Sequence, residues 1–196
     1  MIVLDQESIT EARLTISLIV LNVVCYFLAF IGDDNDYFFL FAQVNASIIN
    51  NYEYWRLFTS MFLHSDLLHL FMNMFTLLLY GSLVEKFFKK YEYLIIYFFS
   101  GFLGNLFTLL LYPPYSLSVG ASGAIFGLLG AAFVLVARSN ERTVLVLAII
   151  YLVYFMVASF QPGINAWAHL FGLIGGLLFG YLFSQKRRKV SATYDY

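Results

Sequence analysis

Six apolar stretches, at about residues 13–31, 67–84, 91–111, 120–137, 144–160 and 165–183, leave this chain few ways to fold. Each is long enough, or nearly so, to cross the roughly 30 Å hydrocarbon core of a bilayer as a helix; the stretch at 144–160 is the shortest. Helix is the default because lipid offers no partner to an exposed backbone group. Hydrophobic residues make up 61% and charged residues 12% of the 196. A water-soluble fold of this size could not hide so much apolar surface, and the mean hydropathy of +0.79 points the same way. The expectation is an all-α polytopic membrane protein, one domain over 1–196, with six transmembrane helices.

The basic residues set the orientation. Six crossings put the N-terminus, the second and fourth loops and the C-terminus on one side. That side carries Arg13, Lys86, Lys89, Lys90, Arg138, Arg142, Lys186, Arg187, Arg188 and Lys189; Arg56 alone falls on the other. Positive charge stays cytoplasmic, so both termini are expected there, with 184–196 as a basic cytoplasmic tail. Five or seven crossings would spoil the separation. The first stretch lacks a basic leader and five more follow it, so it is read as a span and not as a cleaved signal. A prokaryotic cell membrane is the expected location. A net charge of −1 gives no footing for nucleic acid, and the single cysteine, Cys25, cannot form an internal disulfide.

The first loop, about 32–66, is long for so small a protein and rich in aromatics: Tyr37, Phe38, Phe39, Phe41, Tyr52, Tyr54 and Trp55. Aromatic rings favour the membrane–water interface, so this loop is expected to be membrane-associated. A small extracellular loop domain is the plainer reading of the same residues.

Polar side chains inside the spans are costly and mark function by default. The second span carries His69 and Asn73, the fourth begins with Ser122, and the sixth carries His169. All three spans start at the outer face. At about 1.5 Å of rise per residue, the four groups share one layer roughly 3–10 Å below the surface. His69 and Asn73 are four residues apart, on one helix face. Gly172, Gly176 and Gly180 form a small-residue stripe on the His169 face, and Gly123, Gly127 and Ala131 form another beside Ser122. Small residues at this spacing let transmembrane helices approach closely. If the stripes meet, Ser122 and His169 come within reach, as a serine–histidine pair requires. Singly, each signal has a bland account: a serine bonded to its own helix, an interfacial histidine such as His64, packing glycines, an interhelical asparagine. Their coincidence in one layer favours chemistry.

These residues resemble the rhomboid family of intramembrane serine proteases in its minimal six-span form. The resemblance runs from Trp55 to Gly180. It is carried by Trp55-Arg56, by the run from His64 through His69 to Asn73, and by Gly81 with Val84-Glu85-Lys86. It continues in Gly120-Ala121-Ser122-Gly123, which matches the family's GxSG motif, and in Ala168-His169 followed by Gly172 and Gly176. The resemblance implies a rhomboid-like bundle with Ser122 as nucleophile and His169 as general base. It implies an oxyanion hole of His69, Asn73 and the Ser122 backbone N–H. Gly120, Gly123, Gly172, Gly176, Trp55 and Arg56 would have supporting roles, the last two in a first-loop element lying sideways in the outer leaflet. Span five and the loop around Pro162 would form gate and cap. Phe126 stands where some rhomboids carry tyrosine, and Ser60 where some carry a histidine facing the water-filled cavity.

No acid lies near His169 in the sequence pattern, so a dyad is expected, with packing on Phe126 orienting the imidazole. The expected activity is endoproteolysis of transmembrane helices near their outer ends. The implied partners are transmembrane protein substrates and the lipid bilayer, with no cofactor and no metal. A non-proteolytic rhomboid-like protein that binds client helices is the alternative. A transporter is disfavoured by the lack of charged groups within spans. A zinc protease is disfavoured because His64 and His69 are five apart and no HExxH occurs.

Overall fold

The computed structural model describes residues 9–31, 36–139 and 141–194, with side chains up to residue 185. The main helices are α1 (Arg13–Ala29), α5 (Leu67–Phe87), α6 (Lys90–Leu111), α7 (Ser122–Ala137), α8 (Arg142–Ala158) and α9 (Ala166–Tyr194). Among the described residues, three segments are both long and apolar enough to cross a membrane: Leu67–Phe87, Lys90–Leu111 and Ala166–Gln185. Helices α1, α7 and α8 are apolar but shorter, at 17, 16 and 17 residues. Helix α9 runs past the expected end of the last span into the tail at 184–196. The side chains of Lys186, Arg187, Arg188 and Lys189 lie outside the described residues.

Helix α7 is the centre of the bundle. Twelve of its sixteen residues are buried, Gly123 and Phe126 among them. It packs most extensively on α9 and then on α6. The α7–α9 contact is backbone against backbone. A Cβ added to Gly172 would overlap the Gly123 carbonyl, and one added to Gly176 would overlap the Gly127 carbonyl. One added to Gly180 would fall 2.8 Å from the Ala131 Cα. The two small-residue stripes therefore meet along three successive turns. Helix α8 buries none of its residues and lies at the edge of the bundle.

Helix α1 is fastened to the far end of α5 by one carboxylate. Glu85 accepts from the Leu14 and Thr15 amides at 2.9 and 2.8 Å and from the Thr15 hydroxyl at 2.8 Å. These amides sit in the first turn of α1, where no carbonyl of the helix itself can reach them. Gly81 leaves room for this contact, since a Cβ there would press on Thr15.

Residues 36–66, within what the sequence suggests is a single loop at 32–66, are more folded than that. They contain α2 (Asp36–Phe41), β1 (Gln43–Val44), α3 (Asn45–Asn51), α4 (Arg56–Thr59) and a 3₁₀ turn at Ser60–Phe62. Strand β1 pairs antiparallel with β2 (Leu117–Ser118). A two-residue strand leaves no periodicity to read, so this small exception to the all-α class is invisible in the sequence. Arg56 organises the segment. Its guanidinium is buried, pairs with Glu53, and donates to the Phe39 carbonyl at 2.5 Å and the Ala42 carbonyl at 2.6 Å. Those carbonyls end α2, where a cation is favoured. Trp55 stays half exposed beside Arg56, its indole N–H 3.5 Å from the Leu40 carbonyl.

Candidate active site

Ser122 is the first residue of α7. The chain reaches it through Gly120, whose φ of +128° an L side chain would adopt only under strain. The Gly120 amide donates to the Ser60 carbonyl at 3.0 Å, which fixes the approach. A Cβ at Gly120 would stand 3.0 Å from the His69 Nε2 and 3.7 Å from the Ser122 Oγ. The GxSG glycine is therefore a gap that lets the edge of the His69 ring come up beside the serine hydroxyl.

His69 is carried by the first turn of α5, which Asp66 caps by accepting from the His69 amide at 2.8 Å. The His69 Nδ1 lies 3.1 Å from the Ser65 Oγ, and that hydroxyl also lies 2.8 Å from the Asp66 carboxylate. One hydroxyl hydrogen cannot serve both. Given to Asp66, it leaves the His69 proton on Nδ1; given to His69, it places the proton on Nε2, toward Gly120. Ser65 and Asp66 are exposed, so water can replace either bond and the exchange costs little. One turn on, Asn73 is buried and donates one amide hydrogen to the His69 carbonyl at 2.9 Å. Asn73 and Ser122 line the same cavity, of about 160 Å³, with Met72, Thr76, Phe126 and Phe155 among its other walls.

His169 stands in the first turn of α9. Asn165 caps that helix, accepting from the Ala168 amide at 3.0 Å and donating to the Thr108 and Ser118 hydroxyls at 2.9 and 3.0 Å. The start of α9 is thereby tied to α6 and β2, which sets the height of His169. Its imidazole stacks on Phe126, with centroids 4.2 Å apart and planes 12° apart. Phe126 is one turn along α7 from Ser122, on the same face. Among the described residues no hydrogen bond joins Ser122 to His169. The ring Nδ1 instead lies 2.7 Å from the Ser159 Oγ. The sequence does not single out Ser159: it sits at the end of a stretch that reads as uniformly apolar, and serines at helix ends are common.

His64, read from the sequence as an interfacial histidine, is fully buried, its ring set edge-on to His69 at a centroid distance of 5.1 Å. Burial, with His69 beside it, drives its pKa down to about 3, so the ring is neutral. Ser60, also buried, accepts from the Asn105 amide at 3.0 Å.

Comparison with known proteins gives a consistent set of likenesses. The family model described as "Rhomboid domain" matches residues 51–186. The chain is 37% identical over 145 residues to "Putative rhomboid protease YdcA" of Bacillus subtilis (strain 168), covering 72% of this chain and 73% of that one. It is 36% identical over 144 residues to "Rhomboid protease GluP" of the same organism, covering 69% of this chain but only 27% of GluP. It is 34% identical over 133 residues to "Inactive RHOMBOID-like protein 8" of Arabidopsis thaliana, covering 65% of this chain and 38% of that protein.

Proposed function

The chain belongs to the rhomboid family, a family of membrane proteins that includes proteases, and on that premise we propose that it is an intramembrane serine endopeptidase working through Ser122 and His169. The observation that best supports this reading is the close backbone crossing of α7 and α9 at Gly123 and Gly172, with His169 stacked on Phe126 and Phe126 lining the cavity that Ser122 also lines.

In the proposed reaction a transmembrane helix of another protein offers its scissile carbonyl to the Ser122 Oγ. His169 Nε2 takes the hydroxyl proton as the C–O bond forms, then gives it to the departing amide nitrogen as the C–N bond breaks. Water then attacks the acyl-enzyme along the same route in reverse. The Ser122 N–H and the free amide hydrogen of Asn73 receive the oxyanion, each such donor being worth about 3 kcal/mol in soluble analogues. His69 joins them when Ser65 gives its hydrogen to Nδ1. A helix has all its amides internally bonded, so the substrate must partly unwind first, and helix-weakening glycines near the cut favour cleavage.

Six spans, both termini cytoplasmic and a site in the outer leaflet of a prokaryotic cell membrane complete the proposal. The first-loop segment around Trp55 and Arg56 lies at the outer interface. Helix α8, which buries none of its residues, has the freedom a gate needs. The second reading is a rhomboid-like membrane protein that binds client helices without proteolysis; one relative is named inactive. Ser122 and His169, both present here, favour the protease.

The test is reconstitution in liposomes with a synthetic single-span substrate. Ser122→Ala and His169→Ala should each lower cleavage by at least ~10³-fold while leaving the fold intact. Cleavage that survives Ser122→Ala overturns the assignment.

A further inference from the structure

We infer that Ser159 is a positioning residue for His169, fixing the proton of the neutral imidazole on Nδ1 so that Nε2 is free to act as base; the inference rests on the proteolytic reading above. The Ser159 Oγ is buried between two partners. It lies 2.7 Å from the Phe155 carbonyl and 2.7 Å from the His169 Nδ1. A hydroxyl has a single hydrogen, and a carbonyl can only accept. With that hydrogen on the Phe155 carbonyl, the Ser159 oxygen accepts from the His169 Nδ1–H, and both hydrogens are used. With it on Nδ1, the Phe155 carbonyl keeps only the Ser159 amide, at 3.1 Å, one hydrogen bond fewer is made, and the His169 proton moves to Nε2. There it has no partner among the described residues. Buried polar groups settle where more of them are bonded, so the first arrangement wins. It also leaves the Nε2 lone pair for the Ser122 hydroxyl. A tautomer is fixed by the bond its other nitrogen makes, and here a serine fills the place that an acid takes in soluble triads.

The contrast with His69 supports the distinction. Its Nδ1 also faces a serine, but Ser65 is exposed and water can take over its bonds. Ser159 is 2% exposed and has no such freedom. Ser159 also caps α8, so the orienting group of the base sits at the end of the helix that buries none of its own residues.

Two measurements test this. In the reconstituted assay, Ser159→Ala should lower kcat by roughly 10–100-fold, by analogy with the loss seen when the hydrogen-bonding partner of a metal-bound histidine is removed, with KM changed less than about twofold. Ser159→Thr, which keeps the hydroxyl, should recover at least about a third of the wild-type rate. Independently of activity, ¹⁵N NMR of histidine-labelled protein, with the His169 signal assigned by its loss in His169→Gln, should show Nδ1 protonated in wild type. In Ser159→Ala that preference should be lost while the thermal unfolding midpoint shows a folded protein. Unchanged kcat in Ser159→Ala, no recovery in Ser159→Thr, or an unchanged tautomer each overturns the inference. A wild type that cleaves no substrate sinks the proteolytic reading instead, and the NMR result then still decides the role of Ser159.

Discussion

The imidazole of His169 lies almost flat on the phenyl ring of Phe126, with centroids 4.2 Å apart and planes inclined by 12°. Stacking restrains rotation of the imidazole about its own bond to Cβ, and the Ser159 hydroxyl restrains it in the plane. Neither contact needs a charge. A carboxylate in this layer would have to be desolvated, whereas a phenyl ring and a hydroxyl cost far less to bury.

The stack predicts unequal effects at Phe126. An aromatic pair contributes about 0.5–1.5 kcal/mol beyond its buried area, so Phe126→Ala should lower kcat about 2–10-fold from lost orientation alone. It should also lower the unfolding midpoint, because a large buried ring is removed. Phe126→Tyr keeps the ring and should stay within about twofold of wild type. Single-turnover kinetics in detergent, with unfolding curves for each variant, separate the two effects. Equal loss in both variants would rule out a stacking role.

The stack also shows how much of this arrangement is legible in the sequence. Phe126 can be anticipated because it is one turn from Ser122, and helix periodicity carries a side chain that far with little error. The glycine stripes can be paired because only small residues permit so close a crossing. Ser159 cannot be found in this way. Its contact with His169 joins the end of one helix to the start of the next across a turn, and no period links them. The same holds for β1 and β2, two residues each and more than seventy positions apart. His64 misleads for a related reason: a histidine before a helix looks interfacial unless its burial against the His69 ring is known.

The crossing of α7 and α9 makes its glycines unequal to others in the chain. A methyl on Gly176 overlaps the Gly127 carbonyl, which cannot retreat unless the helices part. Gly176→Ala should therefore cost about 3 kcal/mol, at the upper end for overpacking, and should cut activity by separating Ser122 from His169. Gly163 has a φ of +82°, but a methyl added there would meet nothing within 4 Å. Gly163→Ala should therefore cost only about 1–2 kcal/mol of backbone strain and leave the rate nearly unchanged. Thermal unfolding in detergent and the cleavage assay give both quantities. A Gly176→Ala protein as stable and active as wild type would refute the close crossing.

Glu85 offers a case of stability without chemistry. Its carboxylate holds two amides and a hydroxyl of α1, at the end of α5 away from Ser122. Hydrogen bonds to a charged group are worth about 1.5–3 kcal/mol each when a partner is removed, and they share one anchor here. Glu85→Ala should lower stability by about 3 kcal/mol and loosen α1. Below its unfolding temperature kcat should remain within about twofold. Limited proteolysis after α1, compared with cleavage of the substrate, separates the two. A loss of kcat with α1 still protected would mean that Glu85 acts on the site itself.

Asp66 makes one part of the stability depend on pH. The His69 amide, and after it the Ser65 hydroxyl, hold its carboxyl below the usual carboxylate range. A group whose pKa is lower folded than unfolded stabilises the fold fully above its unfolded value, about 3.9. That contribution disappears as the pH falls through the lower folded value. Removing the cap by Asp66→Ala should cost about 0.5–2 kcal/mol, the usual range for an N-cap. The gap between wild type and Asp66→Ala should then be constant from about pH 5 to 8 and close below about pH 4, as the wild-type cap protonates. Unfolding midpoints for the two proteins across that range check this. A gap that persists unchanged at about pH 3 would mean that the carboxylate is not what stabilises the start of α5.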